Sequence, residues 1–111
     1  MLQAIKDFPK QFTFQPVIKN RKNYKRAKKF IVLGMGGSHL AADIIKATYP
    51  SLQIIIRSNY GLPNISDREL KEYLIIASSY SGNTEEVIDG LKKAYKKKLN
   101  IICIAIGGKI L

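Results

Sequence analysis

Residues 74–95, LIIASSYSGNTEEVIDGLKKAY, decide the fold. Residues 74–77 are continuously apolar, the pattern of a short strand buried on both faces. From Glu85 the spacing changes. Val87, Ile88, Leu91, Ala94 and Tyr95 recur at helical intervals, and Gly90 inside this helix either weakens it or permits close packing. Between strand and helix stands Ser79-Tyr80-Ser81-Gly82-Asn83-Thr84. Asn83, with Glu86 three residues on, or Thr84 is expected to cap the helix. A strand leaving through a hydroxyl-rich turn into a helix gathers free N–H groups, a partial positive charge and hydroxyl donors at one spot. That combination suits an anion such as phosphate.

The same grammar repeats on either side. Residues 30–33 form an apolar run that ends in Gly34-Met35-Gly36-Gly37-Ser38. Leu40, Ala41, Ile44, Ile45 and Thr48 then recur at helical spacing, and Pro50 follows. Residues 52–56 read as a second strand, and Gly61 and Pro63 mark a loop. Ser66 with Glu69 has capping-box spacing for a short helix over 66–71. Residues 101–106 read as a fourth strand, followed by Gly107-Gly108-Lys109. Apolar strands alternating with helices specify an α/β domain with a parallel sheet covered on both faces. Right-handed crossovers place both Gly/Ser turns at carboxyl ends of strands, where open α/β sheets bind ligands. Residues 1–29 are a poorly periodic basic leader whose Phe8, Phe12, Phe14 and Val17 would pack on a neighbouring surface. No crossover helix follows the fourth strand. The expectation is a truncated piece of a longer protein, or a chain that completes itself as a homo-oligomer.

Composition narrows the function classes. A chain of 111 residues with 46% apolar content is one globular domain. No apolar run is long enough to span a bilayer, and residues 1–10 lack a signal-peptide core, so no membrane association and a cytoplasmic location are expected. The single cysteine, Cys103, excludes an internal disulfide and is expected to be a buried small apolar residue. Neither a metal site nor a resident cofactor is expected. The net charge is +11, from 19 Lys and Arg against 8 Asp and Glu. It clusters at residues 19–29 and 92–98. These read as a solvated leader and a solvated helix end, in preference to nucleic-acid binding. No recognisable reading module accompanies them, and Tyr24 and Tyr95 are too few for a base-stacking platform.

The first turn fits two nucleotide motifs poorly. Gly34 and Gly36 have dinucleotide-binding spacing, but His39 holds the third glycine position. Arg57, where an acidic residue would hold a ribose hydroxyl, would instead suit a 2′-phosphate, which keeps NADP as an alternative. A Walker pattern ending at Lys109 fails at Cys103 and Ile110. The glycines also have a purely structural use in a tight turn. His39, the only histidine, has either a chemical or a packing role. Asp43 is explained by helix stabilisation. Glu85 and Glu86 must point away from any phosphate bound beside them.

With these motifs in order, the chain resembles a sugar isomerase (SIS) domain, and within that group the bifunctional phosphoglucose/phosphomannose isomerase family. The resemblance is carried by Gly34-Met35-Gly36-Gly37-Ser38, Tyr60-Gly61-Leu62-Pro63, Ser79 through Glu86, and Gly107-Gly108-Lys109, with Phe8-Pro9-Lys10-Gln11-Phe12 in the leader. It implies a flavodoxin-like three-layer αβα sandwich with a parallel sheet of about four strands. It also implies a SIS domain over 30–111 that lacks its final crossover helix and any second domain. By analogy Ser38, Ser79, Ser81 and Thr84 hold the phosphate of a glucose, fructose or mannose 6-phosphate, with Gly36 and Gly37 allowing close approach. The family interconverts aldose and ketose 6-phosphates through an enediol(ate). Its catalytic glutamate, histidine and lysine, and an active-site arginine, lie beyond the region matching Leu111. No catalytic residue is therefore carried onto this chain, and a missing C-terminal half is implied. A phosphosugar-sensing module without turnover is the alternative from another class.

Overall fold

Four short apolar runs form one sheet in the computed structural model, which describes residues 27–105, 107 and 108. The aromatic leader residues, the charge cluster up to Arg26, Ile106 and Lys109 lie outside the described residues. The strands are β1 (Lys29–Leu33), β2 (Gln53–Arg57), β3 (Tyr73–Ser78) and β4 (Asn100–Ile104). Their order is β2-β1-β3-β4 and every pairing is parallel. A 3-10 turn (Gly36–His39) leads into α1 (Leu40–Thr48); α2 is Asp67–Leu70 and α3 is Glu85–Lys96. This is the expected α/β architecture in a flavodoxin-like arrangement.

Topology follows from handedness. The step from β1 to β2 and the step from β3 to β4 run in opposite directions across the sheet. Right-handed crossovers therefore put α1 on one face and α3 on the other. The α3 face holds the core. Ile31, Leu33, Ile75 and Ala77 alternate along β1 and β3 and pack with Leu70, Val87 and Ala94. Each large side chain buried here contributes roughly 1.5–3 kcal/mol. Gly90 is explained by close packing: a Cβ there would stand 2.9 Å from both the Gly61 carbonyl oxygen and Leu33 Cδ1.

Two expectations are corrected. The periodic apolar face of α1 is not buried. Leu40 and Ile44 are each 58% exposed, and no residue of α1 is buried. The helix lies mainly against β2 at the edge of the sheet, and the apolar face of the sheet on that side holds Val32, Ile54 and Leu74, which are buried while Leu40 and Ile44 are not. Cys103 is exposed rather than buried, because β4 is the other edge strand. Its partly buried thiol nonetheless has its pKa pushed up by desolvation.

The short helix α2 starts as its sequence requires, with the Ser66 hydroxyl accepting from the Glu69 N–H at 3.2 Å. The end of α3 is a Schellman motif. The Lys98 N–H bonds the Tyr95 carbonyl and the Leu99 N–H bonds the Ala94 carbonyl. Lys98 occupies the left-handed position, φ 57°, that glycine normally fills. A left-handed conformation costs an L-residue about 1–2 kcal/mol, partly offset by the greater unfolded-state entropy of glycine. Lys98→Gly should therefore raise unfolding stability by about 0.5–1 kcal/mol in urea titrations; a loss of stability would contradict the strained cap.

Candidate functional site

The two turns singled out in the sequence meet at the point where the sheet changes direction. β1 and β3 are neighbours, and Leu33 pairs with Ala77. The chains leaving them turn to opposite faces, which opens a crevice at their carboxyl ends. A side chain closes the distance between the two turns: Ser78 Oγ donates to the Ser38 carbonyl at 2.8 Å. The first turn is further fixed by the Gly34 N–H on the Arg57 carbonyl and the Ser38 N–H on the Met35 carbonyl. Gly36 and Gly37 are exposed, and a Cβ on either would meet nothing within 4 Å.

The second turn is organised by hydroxyls. Ser79 is 1% exposed. Its Oγ lies 2.8 Å from Thr84 Oγ1 and accepts from the Gly82 N–H at 3.0 Å. Its own N–H donates to the Ile104 carbonyl, extending the ladder with β4. Ser79 is thus consumed inside the turn. Ser81 is exposed and its Oγ accepts from the Asn83 N–H at 3.1 Å, so the hydroxyl keeps a proton to donate. Thr84 stands at the N-cap of α3 without making a side-chain cap bond. Its hydroxyl goes to Ser79 instead and caps none of the first-turn N–H groups of α3.

Sequence reading missed what Gly107 and Gly108 are for. They sit directly against the second turn. A Cβ on Gly82 (φ 76°) would collide with the Gly107 carbonyl oxygen, and one on Gly108 (φ 80°) with the Ser81 carbonyl oxygen. Two side-chain-free loops interlock backbone to backbone, and the loop after β4 supports the Ser81–Asn83 segment from behind. The signal was present in the sequence, but only pairing of β3 with β4 brings the two glycine segments together.

The charged neighbours are turned elsewhere. The Tyr60 hydroxyl donates to Glu85 Oε2 at 3.2 Å. That bond, with the negative charge of Glu86 and Glu85 behind it, raises the Tyr60 pKa above its ordinary value. Arg57 donates from Nε and Nη2 to the Tyr60 carbonyl, so its guanidinium braces the 59–65 loop. His39 and Asp43, one helical turn apart, pair at 2.6 Å through Nδ1 and Oδ2. With Nδ1 engaged, Nε2 is the nitrogen left for other contacts. Two concavities lie beside the crevice without including Ser38, Ser81 or Thr84. One is a polar cleft of about 300 Å³ between the 59–65 loop and α3; the other is an apolar groove of about 490 Å³ against β4. Among the described residues no helix is long and apolar enough to cross a membrane.

No family model matches the chain. It is 34% identical over 100 residues to the bifunctional phosphoglucose/phosphomannose isomerase of Thermoplasma volcanium, a match that covers 88% of this chain and 32% of that relative. The protein of that name from Aquifex aeolicus is 28% identical over 113 residues, covering 98% and 33%. A D-glucosamine-6-phosphate 4-epimerase from Sulfolobus acidocaldarius is 28% identical over 102 residues, covering 91% and 32%. The chain therefore spans about a third of the length of the curated relatives it matches. These matches establish partial homology to the bifunctional phosphoglucose/phosphomannose isomerase family.

The interlocked glycines give a direct test. Gly108→Ala combines a disfavoured φ with a backbone clash and should cost about 1–3 kcal/mol. It should also shift the amide resonances of Ser81, Gly82 and Asn83. A stable variant with an unchanged spectrum would show that the two loops do not touch.

Proposed function

We propose that this chain is a phosphosugar-binding SIS domain, corresponding to the N-terminal part of a phosphoglucose/phosphomannose isomerase, and that its crevice takes the phosphate of a hexose 6-phosphate. The observation that carries this reading is the meeting of two Gly/Ser turns at the switch point, tied by the 2.8 Å Ser78–Ser38 hydrogen bond. The partial homology supports it, because these relatives are named for phosphoglucose, phosphomannose and glucosamine 6-phosphate.

The roles follow from the geometry. A phosphate dianion accepts hydrogen bonds and donates none at neutral pH. The N–H groups at the start of α3, which the Thr84 side chain does not take up, and the Ser81 hydroxyl supply donors from one side of the crevice. Ser38 supplies a hydroxyl from the other, and bare Gly36 and Gly37 let the ligand approach the backbone. Thr84 turns its hydroxyl from Ser79 to the ligand. Ser79 acts as a positioning residue that holds the Gly82 amide. Engagement of Glu85 by Tyr60 keeps one carboxylate occupied outside the crevice.

A phosphate anchor of this kind contributes to catalysis by fixing the far end of the sugar, so that binding energy orients the reacting carbons. The isomerase chemistry itself needs a carboxylate base and a proton donor for ring opening. The resemblance carries no such residues onto these positions. Binding without turnover is thus the activity proposed for this stretch.

Calorimetric titration with fructose 6-phosphate tests the assignment. Ser81→Ala and Thr84→Ala should each weaken binding about tenfold, as expected for loss of a hydrogen bond to a charged group. Unfolding midpoints should move little for Ser81→Ala. Free fructose should bind far more weakly than its 6-phosphate. Unchanged affinity in both variants would remove the serine turns as the site.

A further inference from the structure

His39 is rooted at the crevice. It ends the 3-10 turn, stands at the N-cap of α1 and follows Ser38 directly. Gly34, buried where β1 leaves the sheet, lies against it: a Cβ on Gly34 would stand 3.4 Å from both His39 Cβ and the His39 backbone nitrogen. One peptide before, the Ser38 carbonyl is tied to Ser78 across the crevice at 2.8 Å. The His39 side chain is only 24% exposed. Ring and serine are therefore held in one short segment whose height is fixed by β1 and β3.

Asp43 decides which ring nitrogen can act. Its Oδ2 lies 2.6 Å from Nδ1. An ionised carboxylate only accepts, so Nδ1 carries the hydrogen, and neutral His39 then has a lone pair at Nε2. Asp43 sits four residues further along α1, away from the helix start. The two nitrogens lie on different edges of the imidazole. A ring anchored through Nδ1 on Asp43 turns its Nε2 edge away from that carboxylate, toward the end of α1 that opens on the 36–38 turn. A phosphate dianion also only accepts. A lone pair on Nε2 opposes it, whereas an N–H there binds it. The start of α1 disfavours a cation, and Asp43 supplies the compensating charge.

We propose that His39 is a further phosphate-binding residue, and that its Nε2 takes up a proton when a sugar phosphate enters the crevice. This rests on the phosphate reading of the crevice and adds a proton to it. The proton comes from solvent, stays on Nε2 and is shared with a phosphate oxygen as a hydrogen bond; no covalent bond of the sugar changes. Asp43 is a positioning residue. The other charged groups nearby are accounted for. The 3-10 turn carries none besides His39, and α1 adds Lys46 beyond Asp43. Strand β2, on which α1 packs, carries Arg57, whose guanidinium bonds the Tyr60 carbonyl. Across the crevice Glu85 and Glu86 start α3, with Glu85 held by the Tyr60 hydroxyl. The pH dependence has a definite sign. A phosphate monoester loses its second proton near about pH 6, which alone makes affinity rise and then stay level. Imidazoles lose theirs close to neutrality, so with His39 engaged the affinity falls again at higher pH.

His39 is the only histidine, so its Cε1 proton is a single reporter in an NMR pH titration of the whole chain. Saturating fructose 6-phosphate or inorganic phosphate should move its titration midpoint to higher pH; free fructose should not. Calorimetric affinity for fructose 6-phosphate should be about tenfold lower at about pH 8.5 than at about pH 6.5, as for loss of one hydrogen bond to a charged group. His39→Gln should abolish that fall. Asp43→Asn, whose amide is free to donate to Nδ1 and leave the ring hydrogen on Nε2, should reduce it. A role in helix stability alone would change the unfolding midpoints of these variants and leave the pH profile of binding intact. Serine-turn amides that respond to the ligand while the His39 midpoint and the pH profile stay still would overturn this assignment and leave the crevice reading standing. A shifted midpoint with silent serine turns would keep His39 as a phosphate contact and remove the serine turns. No response at either would overturn both.

Discussion

Parallel pairing of β1 with β3 fixes the height at which both chains leave the sheet. Leu33 lies beside Ala77, so Gly34 and Ser78 emerge at the same level and the two turns face each other across the switch point. Beneath them Ile31, Leu33, Ile75 and Ala77 are all but inaccessible to water, and this packed layer gives the crevice a rigid base. A slip of one residue would send every core side chain to the opposite face and separate the turns. The Ser78–Ser38 hydrogen bond and the Gly82–Gly108 interlock follow from that register.

The hydroxyls of the second turn divide their labour by burial. Ser79 is enclosed, and the cost of enclosing its polar group is met by the Gly82 amide and Thr84. Because Thr84 spends its hydroxyl on Ser79, it takes up none of the N–H groups in the first turn of α3. A conventional cap would have satisfied one of them and removed a donor from the crevice.

Much of this was legible in the sequence. Each strand was located to within a residue or two, since continuous apolar runs bounded by Gly and Ser have little alternative. The Ser66 cap was readable because its bond is local. What could not be read depended on contacts between distant segments. The helical spacing of Leu40, Ile44 and Ile45 implied a buried face, yet α1 sits over edge strand β2 and leaves them exposed. Cys103 looked buried within an isoleucine run, but among the described residues β4 is an edge strand. Thr84 takes the N-cap position but makes no side-chain cap bond, because its hydroxyl pairs with Ser79, five residues away through a closed turn. Pairing of His39 with Asp43 required only helical spacing, and helix stabilisation had seemed a sufficient reason for the aspartate.

The central claim is that the crevice between the two serine turns holds a sugar phosphate. An amide-resolved NMR titration of the chain with fructose 6-phosphate tests it most directly. The account predicts dispersed peaks with saturable shifts centred on residues 36–38 and 79–84 and on the first turn of α3. A folded spectrum in which those amides stay still, or in which shifts gather instead on the lysines of residues 92–98, would contradict it.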